Sequence, residues 1–288
     1  MQTAPASYVS RVTVMCLTLV VSAALTAAPA SGAGILWNRL GSSAEVLNSD
    51  FGPDLAFYPG GQSWPEVVGN PAYVPGVFGG ALTIGAGTYA MHDRQHTVVW
   101  NNVNEHLNPN RGTIEVWFKQ GANPVEHSHG VYRIFDGAYG LGSGIHFMSE
   151  AANQGPALRF GMDFGGTYSG VSAHISALNG NWTHVAGVWD RDGIDGTADK
   201  IRLYVNGNVA GSTTVAGWGT TVGQRADIGG GNDGDIAGKF AIDNLKVYDT
   251  ALTDFGHRFS EPIPEPAGMG LLAAALFALR RPTARNAH

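Results

Sequence analysis

Two neighbouring stretches decide the fold: Trp182-Thr-His-Val-Ala-Gly-Val-Trp189 and Ile201-Arg-Leu-Tyr-Val-Asn206. The first is an apolar run of strand length, with Asn-Gly-Asn before it and Asp190 after it. The second alternates apolar and polar residues and stops at Asn206-Gly207-Asn208, a turn sequence that favours positive φ and closes β-hairpins. Together they predict an antiparallel hairpin.

Strand patterns recur on both sides of this hairpin. Thr113-Ile-Glu-Val-Trp-Phe-Lys119 alternates and places Ile114, Val116 and Phe118 on one face, and Phe240-Ala-Ile-Asp-Asn-Leu-Lys-Val-Tyr248 is the last clear strand. The 41 glycines are scattered between apolar runs and indicate turns. The sequence therefore predicts an all-β protein in which two antiparallel sheets pack as a sandwich.

Four segments follow one another in a recognisable order across about residues 35–254. They are Val74-Pro-Gly-Val-Phe-Gly-Gly-Ala-Leu82, Gly112-Thr-Ile-Glu-Val-Trp-Phe118, the pair Asn181-Trp-Thr-His-Val-Ala186 and Leu203-Tyr-Val-Asn-Gly207, and Phe240–Tyr248 followed by Ala251-Leu252. In this order they resemble the laminin-G-like jelly-roll domains of the concanavalin A-like group. The resemblance implies two curved sheets and, often, a non-catalytic role in binding glycans or proteins. It does not fix a ligand, because function lies in the loops.

The N-terminal segment is typical of a secretory signal peptide. Arg11 is the only charge in the first 33 residues, an apolar run extends from Val12 to Ala28, and small residues follow it. The alternative is a retained membrane anchor, but the run is shorter than the roughly 20 residues of a membrane span. We therefore expect residues 1–33 to be removed, with Cys16, the only cysteine. A mature chain without cysteine cannot be a disulfide scaffold or a thiol enzyme.

The C-terminal segment, residues 261–288, has the pattern of a second sorting signal. Pro264-Glu265-Pro266 is followed by the apolar run Ala267–Leu279 and then by Arg280-Arg281. This order resembles a PEP-CTERM sorting signal, which implies processing by an exosortase-type membrane protease in a Gram-negative bacterium with an exopolysaccharide matrix. Positive charge after an apolar segment stays on the cytoplasmic side of the membrane. The alternative is a buried or amphipathic C-terminal helix.

The region between the two signals, residues 34–260, is expected to be one jelly-roll domain. Residues 34–262 contain 13 basic and 22 acidic residues, which gives a formal net charge of −9, and they include no basic cluster. Nucleic-acid binding needs a compensating cationic surface, so this region is not expected to bind nucleic acid.

Catalytic motifs are not visible in the sequence. Glucanases of this fold alternate acidic residues along one strand so that two carboxylates share a face. Here Glu115 is followed by Val116-Trp117-Phe118-Lys119 and has no acidic partner on its strand, and no G-x-S-x-G nucleophile elbow occurs. A glycan-active hydrolase or lyase that uses scattered carboxylates remains the alternative to a non-enzymatic protein.

One acidic run is a candidate calcium site. Asp190, Asp192, Asp195 and Asp199 offer four carboxylates within ten residues between two strands, and calcium prefers several oxygen ligands from a flexible loop. The alternative is a solvated hairpin tip, where Asp and Gly are good turn formers. Asp227 through Asp235 form a second acidic loop, and Asp243 is expected to have a structural hydrogen-bonding role.

Aromatic residues in glycine-rich segments are the candidate sugar platforms. Trp218, Tyr168, Trp64 and Tyr139 fall in loop-like sequence, whereas Trp117, Trp182, Trp189 and Tyr204 fall in predicted strands and are expected to fill the core. His184 is expected to be a hydrogen-bonded core histidine, and His127-Ser-His129 lacks a third zinc ligand.

The sequence thus predicts an exported, non-enzymatic protein of the cell surface or extracellular matrix, which binds polysaccharide or contributes to matrix structure. A protein–protein adhesion module is a further alternative. The expected partners are a surface glycan, the sorting protease and, through the C-terminal segment, the inner membrane for a short time.

Overall fold

The computed structural model describes residues 34–50, 52–57, 72–84, 98–120, 131–137, 143–150, 157–164, 167–174, 180–214, 218, 222–229 and 240–259. Strands dominate these residues, and helices are limited to single turns. The strands are β1 (Gly34–Asn38), β2 (Ala56–Phe57), β3 (Ala72–Pro75), β4 (Gly80–Ile84), β5 (Val98–Asn101), β6 (Arg111–Gln120), β7 (Val131–Asp136), β8 (Ser143–Glu150), β9 (Ala157–Phe164), β10 (Thr167–His174), β11 (Thr183–Asp190), β12 (Ile201–Val205), β13 (Asn208–Thr213), β14 (Arg225–Ile228) and β15 (Phe240–Tyr248). The helices are α1 (Ser43–Val46) and the 3-10 turns Val103–Glu105, Ile194–Gly196 and Gly256–Phe259.

One antiparallel sheet has eight strands in the order β13-β12-β11-β6-β15-β4-β3, with β1 also paired to β15. Two shorter strands share the far edge of β15: β4 pairs with residues 240–242 and β1 with residues 245–248. The pairing of β15 with β6 shifts register between Asp243 and Lys246, and Asn244 there has a φ of 59°. A local bulge of this kind therefore lies where the strand edge passes from β4 to β1.

The second antiparallel sheet has seven strands in the order β10-β9-β8-β7-β14-β5-β2. The inner faces of the two sheets form one apolar core, in which Phe147 packs edge-on against Phe160 and Phe160 lies 6.0 Å from the Trp189 ring. Each large side chain buried here stabilises the fold by roughly 1.5–3 kcal/mol. The two-sheet jelly-roll sandwich predicted from the sequence is confirmed.

The central strands follow the predicted alternation. Ile114, Val116 and Phe118 of β6 are buried in the core cluster. Gly187 of β11 lies directly under Phe160, because a Cβ atom at this position would stand 2.1 Å from that ring. Close approach of the two sheets therefore requires glycine at position 187.

The two segments of the predicted hairpin are β11 and β12, which pair antiparallel, and the predicted Asn206-Gly207 turn joins β12 to β13. Asn206 and Gly207 have φ values of 52° and 83°, the left-handed conformation that such two-residue turns require. One boundary differs from the prediction: β11 begins at Thr183, so Trp182 precedes the strand and is only partly buried.

Candidate functional site

A row of polar side chains crosses the outer face of the seven-stranded sheet. Strand register pairs Asp227 of β14 with Asp136 of β7, and Asp136 with His146 of β8. Their strand neighbours Ile228, Phe135 and Phe147 point into the core, so the three polar residues lie on the opposite side. Arg225, two residues before Asp227, completes this row.

The members of this polar row are paired with one another. His146 Nδ1 lies 2.8 Å from Asp136 Oδ1. Arg225 approaches both carboxylate oxygens of Asp227 at 3.3 Å, through Nε and Nη2. The two aspartate side chains are buried, whereas the Arg225 side chain is 24% exposed. The row is therefore a preorganised set of charged donors and acceptors that reaches solvent at the Arg225 end.

Glycines extend the row toward the sheet edge. Gly161 of β9 pairs with His146, and Gly170 of β10 pairs with Gly161. Positions without side chains leave the backbone open to close approach by another molecule. The outer face thus combines a charged row with a smooth strip beside it.

A second polar cluster, the Glu115 centre, lies on the outer face of the eight-stranded sheet. Glu115 Oε2 lies 3.1 Å from His184 Nε2, and Oε1 lies 3.1 Å from both His257 Nε2 and the Tyr248 hydroxyl. Lys246 Nζ is 3.5 Å from the same Oε1. One buried carboxylate therefore accepts from three hydrogen-bonding side chains and faces a buried ammonium group.

The electrostatics of this centre favour the ionised acid. Burial by itself raises the pKa of Glu115, but hydrogen bonds from His184 and His257 and the charge of Lys246 outweigh it and hold the pKa well below its usual range. Burial lowers the pKa of His184, which favours the neutral imidazole. Because a lysine already neutralises the acid, the centre suits a structural role better than cation binding or proton transfer. His184 is the buried, hydrogen-bonded histidine that the sequence analysis expects.

The C-terminal strap, residues 249–259, covers this centre. Thr113 Oγ1 donates to the carbonyl of Thr250 at 2.7 Å and accepts from the amide of Leu252 at 2.9 Å. Phe255 is fully buried and its ring lies 4.8 Å from that of Tyr204. The strap is therefore an integral layer of the domain.

The Asp243 side chain holds the turn between β3 and β4 by hydrogen bonds. Its Oδ2 accepts hydrogen bonds from the amides of Val77 and Phe78 at 2.6 and 2.9 Å. Burial raises the pKa of Asp243 to about 6, although the two amide bonds and Lys246 oppose the rise. This geometry is the hydrogen-bonding role expected for Asp243.

The predicted sugar platforms fall in different places. Trp218 is partly buried against the core and its Nε1 donates to the carbonyl of Pro109 at 3.0 Å, an arrangement suited to anchoring a loop. Tyr168 belongs to β10 and pairs with Asp163, so its prediction as a loop residue is wrong. Trp64 and Tyr139 lie outside the described residues. Trp117, Trp189 and Tyr204 are buried, as expected.

The four aspartates of the predicted calcium run are dispersed along their loop. Asp190 Oδ1 accepts from the amide of Asp192 at 2.8 Å, and Asp199 binds Arg202 at 2.9 Å. Asp192 and Asp195 are exposed. Among the residues that the structure describes, no three acidic or histidine side chains are grouped to hold a metal ion. In the second acidic loop, Asp227 belongs to β14 and residues 230–235 lie outside the described ranges, as does His127-Ser-His129.

Both predicted terminal signals also lie outside the described residues, including Pro264, Glu265, Pro266, Arg280 and Arg281. A search of the described part of the chain finds no helix with the length and apolar character needed to cross a membrane.

The chain was compared with known proteins. It matches no curated protein sequence. Among solved structures, the botulinum neurotoxin serotype D binding domain superposes with a TM-score of 0.56 at 13% identity, covering 78% of this chain and 51% of that one. The receptor binding domain of mosaic serotype C/D gives 0.56 at 14% identity, with 78% and 50% covered, and the serotype G binding domain gives 0.54 at 13% identity, with 76% and 48% covered.

The chain spans about half the length of these toxin domains, and identities this low show a common fold alone. The family comparison is more specific. The family model Laminin_G_3, described as the concanavalin A-like lectin/glucanases superfamily, matches residues 92–254, which is more than half of the chain. With its two antiparallel sheets and its C-terminal strap, the chain belongs to the concanavalin A-like lectin/glucanases superfamily.

Proposed function

We propose that this chain is an exported, non-enzymatic protein of the cell surface or extracellular matrix that binds polysaccharide through the outer face of its seven-stranded sheet. The polar row carries this proposal. Arg225 and His146, held in place by the buried Asp227 and Asp136, offer fixed hydrogen-bonding groups for sugar hydroxyls. The side-chain-free positions Gly161 and Gly170 continue the row toward the sheet edge, where Gly170 is partly exposed.

Two further observations support a binding role. The solved structures of similar fold include domains named for binding or receptor binding, so this sandwich serves as a binding module elsewhere. The Glu115 centre, a buried acidic site on the eight-stranded sheet, is neutralised internally and covered by the strap. The alternative, a protein–protein adhesion module, would use the same scaffold but would bind a protein instead of a polysaccharide.

Binding is tested by retention of the purified protein on columns of long-chain polysaccharide. A single shallow site binds sugars weakly, so we expect polymer to be retained and monosaccharide to compete poorly. Arg225→Ala and His146→Gln should reduce retention at least fivefold while the protein stays folded. Asp192→Asn, which changes an exposed acid in the loop after β11 of the other sheet, is the control and should bind as the wild type does. Equal retention of all four proteins would remove the polar row as the site.

A glycan-active enzyme is the second candidate, and one observation favours it. Asp227 and Asp136 are direct cross-strand partners. Cβ atoms of such pairs are about 4.5–5.5 Å apart, and retaining glycosidases hold their two carboxyl groups about 5–5.5 Å apart. Release of reducing or unsaturated ends from the retained polymer, abolished by Asp227→Asn, would establish the enzyme and overturn the non-enzymatic proposal.

We also propose that a membrane protease of the exosortase type processes the chain within residues 261–288. The ordered Pro-Glu-Pro motif, apolar run and arginine pair support this step. Intact-mass analysis of protein from its native host should show a C-terminus near Pro266 and no residues 1–33. Arg280→Ala with Arg281→Ala should impair processing, and a mature protein that still ends at His288 would contradict the proposal. The product is expected at the surface or in the matrix of a Gram-negative bacterium.

A further inference from the structure

Aromatic and cationic side chains meet where the strap ends. Trp117 Nε1 donates to the carbonyl of Arg258 at 3.2 Å, and the Phe259 ring lies 5.3 Å from the Trp117 ring. Two residues along β6 from Trp117, Lys119 places its ammonium group 5.8 Å from the centre of the Trp182 ring. Lys119, Trp182, Arg258 and Phe259, which surround the buried Trp117, form what we call the exit patch.

The composition of the exit patch differs from that of the domain around it. Phe259 is 64% exposed although it is a large apolar side chain, and the Arg258 guanidinium lies 4.6 Å from its ring centre. The patch carries two cations in a region whose net charge is −9. Aromatic rings beside lysine and arginine are the combination found at membrane–water interfaces, where the rings enter the headgroup layer and the cations meet phosphates.

The position of the patch in the chain indicates what it contacts. Only residues 260–266 separate Phe259 from the apolar run that begins at Ala267. Even fully extended, this connection spans at most about 28 Å. If the apolar run enters the bilayer, the end of the domain that carries Phe259 must therefore stay next to the membrane surface.

We propose that the exit patch is the surface by which the folded domain contacts the anionic lipid surface of the membrane while its C-terminal segment is inserted. This inference rests on the proposed sorting function. A short connection gives a high effective concentration, so a contact too weak to bind lipid alone suffices. The patch would hold the connection to the sorting motif in a fixed place at the membrane.

The full chain should be mixed with vesicles whose acyl chains are brominated, because bromine quenches nearby tryptophan fluorescence. One set contains equal parts of phosphatidylglycerol and phosphatidylcholine, and the other contains phosphatidylcholine only. We expect quenching on the anionic vesicles that Trp182→Phe reduces at least twofold. Trp218→Phe, which alters a tryptophan at the Pro109 contact, is the matched control and should leave the quenching unchanged.

Charge and the tail provide the second comparison. Lys119→Gln should lower the affinity for anionic vesicles, as measured by the quenching, about fivefold, because one cation near such a surface contributes about that factor. The same change should have no effect on phosphatidylcholine. Leu271→Asp with Leu272→Asp should abolish the Trp182-dependent quenching, because the tail can no longer insert.

The outcomes separate the two proposals. A vesicle-bound wild-type chain whose quenching does not depend on Trp182 overturns the exit patch and leaves the sorting proposal standing. A chain that stays in solution with either lipid overturns both. If Trp182→Phe instead abolishes retention on an anionic polysaccharide and leaves lipid quenching unchanged, the patch binds polymer and the membrane assignment is wrong.

Discussion

Replacing Glu115 by glutamine should destabilise the domain strongly, although the two side chains have nearly the same size. Glu115 is 1% exposed, and the buried Lys246 ammonium is 3.5 Å from Oε1. At an effective dielectric constant near 20, that attraction is about 5 kcal/mol, and breaking a buried pair by removing one partner typically costs about 3–5 kcal/mol. We therefore expect Glu115→Gln to lower the free energy of unfolding by about 3–5 kcal/mol.

Urea unfolding at pH 7 measures this loss as a lower midpoint with an unchanged slope. The double variant Glu115→Gln/Lys246→Met removes the stranded charge as well and should recover most of the stability, because uncharged replacements of a buried pair are often close to neutral. A loss below about 1 kcal/mol in the single variant, or no recovery in the double variant, would show that the ion pair contributes little.

The same centre predicts a direction for acid sensitivity. A carboxyl group whose pKa is lowered in the folded state stabilises the fold above its unfolded pKa, near 4.3, and this contribution is lost as the pH falls toward the folded pKa. His184, with its pKa lowered by burial, adds a loss that begins below about pH 6.5. Below pH 5 the wild type should therefore lose stability more steeply than Glu115→Gln, whose profile should be flatter there. Parallel stability–pH profiles for the wild type and Glu115→Gln would refute the assignment of this acid sensitivity to Glu115.

Three further perturbations follow from the structure. Asp243→Asn should keep the acceptor for the turn amides. Because the raised carboxyl pKa makes the charged form of Asp243 costly, the variant's gain in unfolding free energy over the wild type should be larger at pH 8 than at pH 5, by on the order of 2 kcal/mol. Urea midpoints of both proteins at both pH values test this. Trp189→Ala should cost about 3–5 kcal/mol, whereas Trp182→Ala, outside β11 and partly exposed, should cost under about 1.5; equal losses would refute the difference in burial. Millimolar calcium should raise the melting temperature if the acidic run binds it, and Asp192→Asn with Asp195→Asn should abolish the rise; no rise in the wild type would end the calcium hypothesis.

Alternation along single strands made the fold predictable. The positions of Ile114, Val116 and Phe118 followed from a period of two, and Asn206-Gly207 marked the hairpin, because both signals are local. Boundaries were less predictable. Trp182 continues the apolar run but precedes β11, and Tyr168 lies among glycines yet belongs to β10, since pairing with β9 overrides local composition.

The two polar sites could not be predicted from the sequence. Asp136, His146 and Asp227 are brought together by the register of three strands, and register between distant strands is not written in any single segment. Alternation did place Glu115 on the face opposite Ile114. What the sequence did not show is that the strap returns over this face and brings His257 to the carboxylate.

The pairing of β1 with β15 determines when the domain can fold. Gly34 lies opposite Tyr248, so the first described strand finds its partner only after more than 200 further residues have been made. Contacts this distant in sequence make β-sandwiches slow to fold, on timescales of about milliseconds to seconds, because the chain loses much entropy before the pairing is formed. The eight-stranded sheet cannot be completed on a partly synthesised chain. If the chain is exported unfolded, as proposed above, this delay keeps the sheet incomplete until β15 is made, just before the proposed sorting segment 261–288.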